Sequence, residues 1–276
     1  MKKKDKIKKI IHSFFLLATT LIFLFPFYWM LSTALKAEGH VYVDPPELIS
    51  FPINIKNFIN IAPIFPFFRY LKNTLYTCTL SAIGQTTCSA LAAYAFSRIQ
   101  WKWRNTCFII TLSTMMIPTA VFAIPWYLLY SKIGILGTLA PLWLPYWFQH
   151  PYIIFLLTQF FRGIPNSITD AAEIDGSGHF GIFFRIIVPL SLPALFTAFL
   201  LHFIFLWKDL LIPLMYINDE KLFTFSIGLQ TLLGGTVKPS FNEIMAAAFM
   251  ASLPLVILFI LFHKFIFKGI SVSSYK

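Results

Sequence analysis

Six long stretches of this chain contain no Asp, Glu, Lys or Arg: residues 13–35, 73–97, 105–131, 133–161, 186–207 and 244–263. About 20 apolar helical residues cross a bilayer core. In hydrocarbon no water pairs with backbone N–H and C=O groups, so a crossing segment must satisfy its own and should be helical. A soluble protein is roughly a quarter charged. Here 12% of residues are charged and 58% are hydrophobic. Mean hydropathy is +0.73. As buried helices of a soluble protein, six such runs would leave little chain to surround them. The expectation is an all-α membrane protein with six transmembrane helices, at about 13–35, 73–97, 105–131, 139–161, 187–214 and 244–263. A shorter run, 222–237, contains Gly228, Gly234 and Gly235 and is expected to be extracytoplasmic or re-entrant.

The net charge of +11 alone would suggest nucleic acid. Its distribution suggests topology instead. Residues 1–12 hold Lys2, Lys3, Lys4, Lys6, Lys8 and Lys9 and read as a basic cytoplasmic tail. The 23 apolar residues that follow exceed the core of a secretory signal, so they read as a retained first helix. An even number of spans places both termini inside. The inside loops then carry Arg98, Lys102, Arg104, Arg162 and Arg185, and the C-terminal segment carries Lys264, Lys268 and Lys276. The organisation is a single transmembrane domain over 13–270 with a short tail at 271–276, with lipid as partner and no nucleic acid.

Catalytic chemistry has no foothold. Cys78, Cys88 and Cys107 all fall in expected spans and read as small apolar residues. The histidines show no metal spacing. There is no phosphate-binding Gly-rich loop ending in Lys-Ser/Thr. No cofactor or metal is expected in this chain, and no catalytic residue.

The loop at about 162–186 differs from the others. It gathers Asp170, Glu173 and Asp175 on the side where few other acids lie. Ser167-x-x-Asp170 resembles a capping box with Asp in place of Glu. Asp170 and Glu173 would then sit in or near the first turn of a short helix, where the dipole favours negative charge. Gly176 suits the left-handed C-terminal position. Ile164, Ile168, Ala171, Ala172 and Asp175 recur at three- and four-residue spacing and would share a face. A docking site and a plain surface connection between spans both fit this pattern.

Taken whole, the loop resembles the EAA loop of ATP-binding-cassette importer permeases, E-A-A-x3-G-x9-I-x-L-P. Asp170-Ala171-Ala172 stands for E-A-A, Gly176 for the glycine, Ile186 for the isoleucine and Val188-Pro189 for L-P. The resemblance to sugar permeases of the maltose-transporter type extends through YLKNTLYTCTLSA, IPWYLLYSKIGILGTLAPLWLPY and FIFLWKDLLIPLMYI. In the last of these, Lys208 replaces the family's usual Asn between Trp207 and Asp209. The C-terminal tail lacks the family's Gly/Ala-rich ending.

The resemblance implies a pore made with a second homologous permease in a probable heterodimer. Two ATP-binding-cassette ATPase subunits, carrying ATP and Mg, and an extracytoplasmic solute-binding protein complete the assembly. Asp170, Ala171, Ala172, Glu173, Asp175, Gly176, Ile186 and Pro189 would form the coupling element, a short helix between spans 4 and 5. The expected substrate is a sugar or oligosaccharide. Intramembrane polar residues are candidates for the substrate path: Asn73, Gln85, Gln149, His202 and Trp207. Helix-to-helix bonding or interfacial anchoring would explain the same residues. Alternatives are a related permease for glycerol phosphate or another small polar solute, an ion-coupled carrier with His202 as a relay, and a membrane enzyme.

Overall fold

The computed structural model describes residues 2–49, 51–148, 150–235 and 239–271, so Gln149 and the tail beyond 271 lie outside the described residues. The described residues are helices and turns, without a strand among them. The chain divides into two compact units, one of residues up to Phe67 with Gly228–Pro254, the other of Phe68–Ile227 with the residues from Leu255 onward.

The first unit contains α1 (Lys2–Ala34), α2 (Lys56–Asn60), most of α12 (Phe225–Gly234) and the first half of α13 (Phe241–Ser271). Helix α1 is apolar over Lys8–Ala34, and its most apolar window has no buried residue. Phe14, Phe15, Ile22 and Phe23 all point outward. A helix that is apolar all round and unburied by protein is matched to lipid. Just beyond its end, Lys36 is buried. Its backbone carbonyl accepts from Asn57 Nδ2 at 2.8 Å and Asn242 Nδ2 at 2.9 Å, and its Nζ donates to the Glu47 carbonyl at 2.5 Å. The Lys36 amine also lies 4.8 Å from the Trp29 ring centre, a cation–π arrangement. The 222–237 run contains the ten-residue helix α12; residues 236–238 lie outside the described residues.

The second unit contains α3 (Phe67–Arg98), α4 (Arg104–Ser113), α5 (Ala123–Lys132), α6 (Pro151–Arg162), α7 (Asn166–Ile174), α8 (His179–Ile182), α9 (Val188–Leu190), α10 (Leu192–Trp207) and α11 (Leu211–Tyr216). Helix α3 has 32 residues, about 48 Å at 1.5 Å each. Asn73, Thr77, Ser81, Gln85 and Ser89 recur every fourth residue along it and are all buried. This stripe turns inward while Ile83 and Leu91 face out. Polar groups inside protein and apolar groups outside are what lipid selects.

Three of the expected spans are not single straight helices. The 105–131 run breaks at Ile117-Pro118, and its two halves meet at 90°. A residue before proline is pushed out of the helical region, and Ile117 has φ −86°, ψ 117°. The 139–161 run begins as short turns, Ala140–Leu142 and Pro145–Trp147, and becomes α-helical only at Pro151. The 12 residues of α6 extend about 18 Å, less than a hydrocarbon core of about 30 Å. The 187–214 run is divided too. His179–Leu190 meets Leu192–Trp207 at 78°, and α11 follows separately. Pro189 and Pro193 each remove a helical donor and crowd the preceding turn. A π turn over Phe183–Ile187 precedes the bend. Among the described residues, two helices are long and apolar enough to cross a membrane alone, or up to four if each bent pair is one span.

Trp147 lies directly over α3. Its Nε1 donates to the Leu80 carbonyl at 3.1 Å, and a Cβ placed on Gly84 would lie 2.0 Å from that same Nε1. Gly84→Ala should therefore expel the indole. Overpacking of this kind costs about 1–3 kcal/mol. Thermal unfolding in detergent should show a lower midpoint, partly restored by adding Trp147→Ala.

Candidate functional site

The loop chemistry builds on the far end of α3. Arg98 is the last residue of that helix. Its Nη1 donates to Asn166 Oδ1 at 2.6 Å, and its Nη2 donates to the carbonyls of Ile164, at 2.5 Å, and Phe161. One guanidinium thus joins the end of α3, the end of α6 and the start of α7. A planar fork can hold several acceptors at once, and a lysine ammonium lacks that geometry. Burial pulls the Arg98 guanidinium below its ordinary value, while Tyr94 and Asp170 pull it back up. Arginine nonetheless stays charged. In the sequence Arg98 marks only topology, because no local pattern distinguishes a terminal arginine as a clamp.

Helix α7 begins differently from the expectation. Pro165 occupies the cap position, with φ −56° and ψ 135°, and no side chain caps the helix. The Ser167–Asp170 capping box does not form, because both residues are already inside the helix. Asp170 and Glu173 lie beyond the first turn, where the dipole acts weakly.

The other end matches the expectation for Gly176. Its φ is +81°. Ser177 N donates to the Ala172 carbonyl at 2.9 Å, and Gly176 N donates to the Glu173 carbonyl at 3.0 Å. These crossed bonds form a Schellman cap. A Cβ on Gly176 would meet nothing within 4 Å, so the constraint is the backbone angle alone.

The two alanines divide. Ala171 is exposed, whereas Ala172 is buried in a core with Tyr94, Phe161, Ile182, Phe183 and Ile187. The expected stripe of Ile164, Ile168, Ala171, Ala172 and Asp175 is therefore not one open face. The exposed surface carries Ile168, Asp170, Ala171, Glu173, Ile174 and Asp175, with Ile174 86% accessible. Phe180 and Phe184 on the following segment are exposed as well. Ile186 is half-buried against the same core, and Pro189 is exposed beside the 78° bend.

Four substrate-path candidates occupy buried positions. Asn73 Nδ2 donates to the carbonyls of Lys221 and Phe223, each at 2.9 Å. Gln85 bonds Ser89 Oγ at 3.1 Å within its own helix. His202 Nε2 lies 2.8 Å from Ser81 Oγ, and its ring centre is 4.4 Å from that of His150. Trp207 packs between Phe203 and Phe225, with ring centres 5.6 Å away in each case. Gln149 lies outside the described residues. An open cleft of about 590 Å³ in this unit is lined by Lys72, Asn73, Tyr76, Thr138, Trp143 and Leu222. Of the four, only Asn73 reaches it. Among the described residues no cluster of three His, Cys, Asp or Glu side chains is arranged to hold a metal ion.

Residues 85–272 match the family described as binding-protein-dependent transport system inner membrane component. The chain belongs to that family. It is 30% identical over 278 residues to the trehalose/maltose transport system permease protein MalG of Thermococcus litoralis, covering 99% of each chain. It is 28% identical over 269 residues to the arabinooligosaccharides transport system permease protein AraQ of Bacillus subtilis, covering 95% of this chain and 94% of the relative. A solved bacterial ABC transporter involved in import of the acidic polysaccharide alginate contains a chain of the same fold. The TM-score is 0.80 at 21% identity, over 95% of this chain and 97% of that one.

Two variants test this geometry. Arg98→Lys should loosen the 162–178 loop, since bonds to a charged donor are worth about 1.5–3 kcal/mol each. Limited proteolysis should cut that loop faster while the rest of the chain stays resistant. Gly176→Ala should cost about 1–2 kcal/mol from the left-handed angle, whereas Gly176→Asn should retain most transport. Equal uptake by both Gly176 variants would remove the angle from the explanation.

Proposed function

We propose that this chain is a pore-forming permease subunit of an ATP-driven importer for a sugar or oligosaccharide. The relatives that carry sugar-transport names align over nearly their whole length, and the alignment supports that substrate class. The working assembly in this reading has a second homologous permease, two ATPase subunits that bind ATP and Mg, and an external solute-binding protein. It sits in a bacterial cytoplasmic membrane with both termini inside. Six crossings follow if α1, α3, the α4–α5 pair, the α6 region, the bent helix ending in α10, and α13 each count once.

The observation that carries the coupling role is the exposed edge of α7. A nine-residue helix fixed at both ends presents Asp170, Ala171, Glu173 and Ile174 outward beside Phe180 and Phe184. Exposed apolar groups ringed by acids suit a groove with an apolar floor and basic rim. Movement of the ATPases would carry the helix as a rigid body and switch the pore between two packed states. The chain itself performs no hydrolysis in this reading.

The open cleft bears on substrate. Trp143 and Tyr76 offer aromatic faces to a sugar ring, and Lys72 offers a cation. The cation favours, as a second reading, an anionic solute such as glycerol phosphate.

Co-purification in mild detergent should bring down an ATP-binding protein with the wild-type chain. Ala171→Arg and Ile174→Asp should each release it, because both change exposed side chains at the docking edge. Membrane insertion should be unchanged. An ATPase that stays bound to both variants would place the contact elsewhere, and a wild-type chain that never binds one would remove the importer reading.

A further inference from the structure

Trp207-Lys208-Asp209 was prominent in the sequence but plays no part in the coupling surface. Asp209 borders a small, largely enclosed space of about 10 Å³ within the second unit. Such a space holds about one water-sized particle. Its polar lining residues are Asp209, Thr74, Thr77 and Thr224, with Leu206 and Ile212 among its apolar walls.

The hydrogen bonds around this space leave oxygen lone pairs available. Thr224 is 5% exposed, and its Oγ1 is buried without a hydrogen bond among the described residues. Thr77 Oγ1 donates to the carbonyls of Asn73, at 2.9 Å, and Thr74, at 3.1 Å, so its proton is directed into its own helix. Thr74 Oγ1 accepts one bond, from Phe225 N at 3.0 Å. The half-buried Asp209 carboxylate accepts a long bond from Ile212 N at 3.5 Å and a second backbone bond from Leu211. No Lys, Arg or His forms an ion pair with it among the described residues. Buried charges are normally paired or bound to a cation.

We propose that Asp209, Thr74, Thr77 and Thr224 form a binding site for one sodium ion. All four donors are hard oxygens, the class that takes alkali and alkaline-earth cations. One carboxylate balances one positive charge. Ca²⁺ takes about 6–8 oxygen ligands, and Mg²⁺ keeps several waters in its shell; one carboxylate and three hydroxyls supply too few ligands and too little charge for the first, and the space has no room for the waters of the second. The apolar walls exclude competing water and strengthen the ion–carboxylate attraction. A bound ion would cross-link α3, which carries Thr74 and Thr77, to Asp209 after α10 and to Thr224 before α12. The site does not depend on which solute the chain transports or on which ATPase it meets.

The experiment is equilibrium binding of radioactive sodium to the full chain, purified with the subunits that accompany it, in a buffer whose only other cation is N-methylglucamine. About one saturable ion per chain is expected, displaced by unlabelled Na⁺ far more readily than by K⁺. Asp209→Asn should abolish it. Thr224→Val, nearly isosteric, should weaken it by about tenfold or more, while Thr224→Ser should restore it. Thermal unfolding of each variant in N-methylglucamine alone checks folding, and the Val/Ser pair decides the matter if the Asn variant unfolds. No saturable sodium on the wild-type chain would mean that the space holds a water molecule and would overturn the site. Unchanged binding in Thr224→Val would do the same.

Discussion

The Arg98 guanidinium is the joint on which the loop geometry depends. Its three acceptors, the Asn166 side-chain oxygen and the carbonyls of Phe161 and Ile164, lie at the turn between two helices. By holding them at the end of α3, it fixes where α6 stops and α7 starts. Everything presented outward from α7 follows from that placement. The Schellman cap at Gly176 closes the other end, so a short helix that would be marginal alone is held by a tertiary contact at its start and a local backbone cap at its end.

The membrane setting explains why α3 carries so many polar residues. A helix in lipid hides its polar atoms against protein and exposes its apolar ones. Asn73, Thr77, Ser81, Gln85 and Ser89 lie on the hidden side. Each of Asn73, Ser81 and Gln85 finds a partner there: two carbonyls, an imidazole and a hydroxyl. Within this chain the stripe acts as internal adhesive. The open cleft near Lys72 and Trp143 is where polar and aromatic groups do meet open space.

Much of the architecture was legible in the residues. The charge-free runs locate the apolar helices, and the spacing from Asp170 through Gly176 to Pro189 locates the short helix and its stop. What stayed hidden depends on tertiary contacts. Pro118 and Pro189 stand in plain view, yet apolarity alone reads straight through them, and only the chain direction afterwards shows a bend of 90° or 78°. The cap at Ser167 failed because Pro165 starts the helix earlier than side-chain chemistry suggests. The role of Arg98 could not be seen because its acceptors lie more than 60 positions away.

The two alanines of the loop are adjacent in sequence but differ in setting. Ala172 is buried in a cluster that includes Tyr94 and Phe183 of its own chain, while Ala171 is open. A genetic search for suppressors should therefore give two separate answers. Damage at Ala172 should be repaired by smaller side chains within the same gene, at the positions that crowd it. Damage at Ala171 should be repaired in a different gene, and the location of those repairs would map the surface that α7 touches.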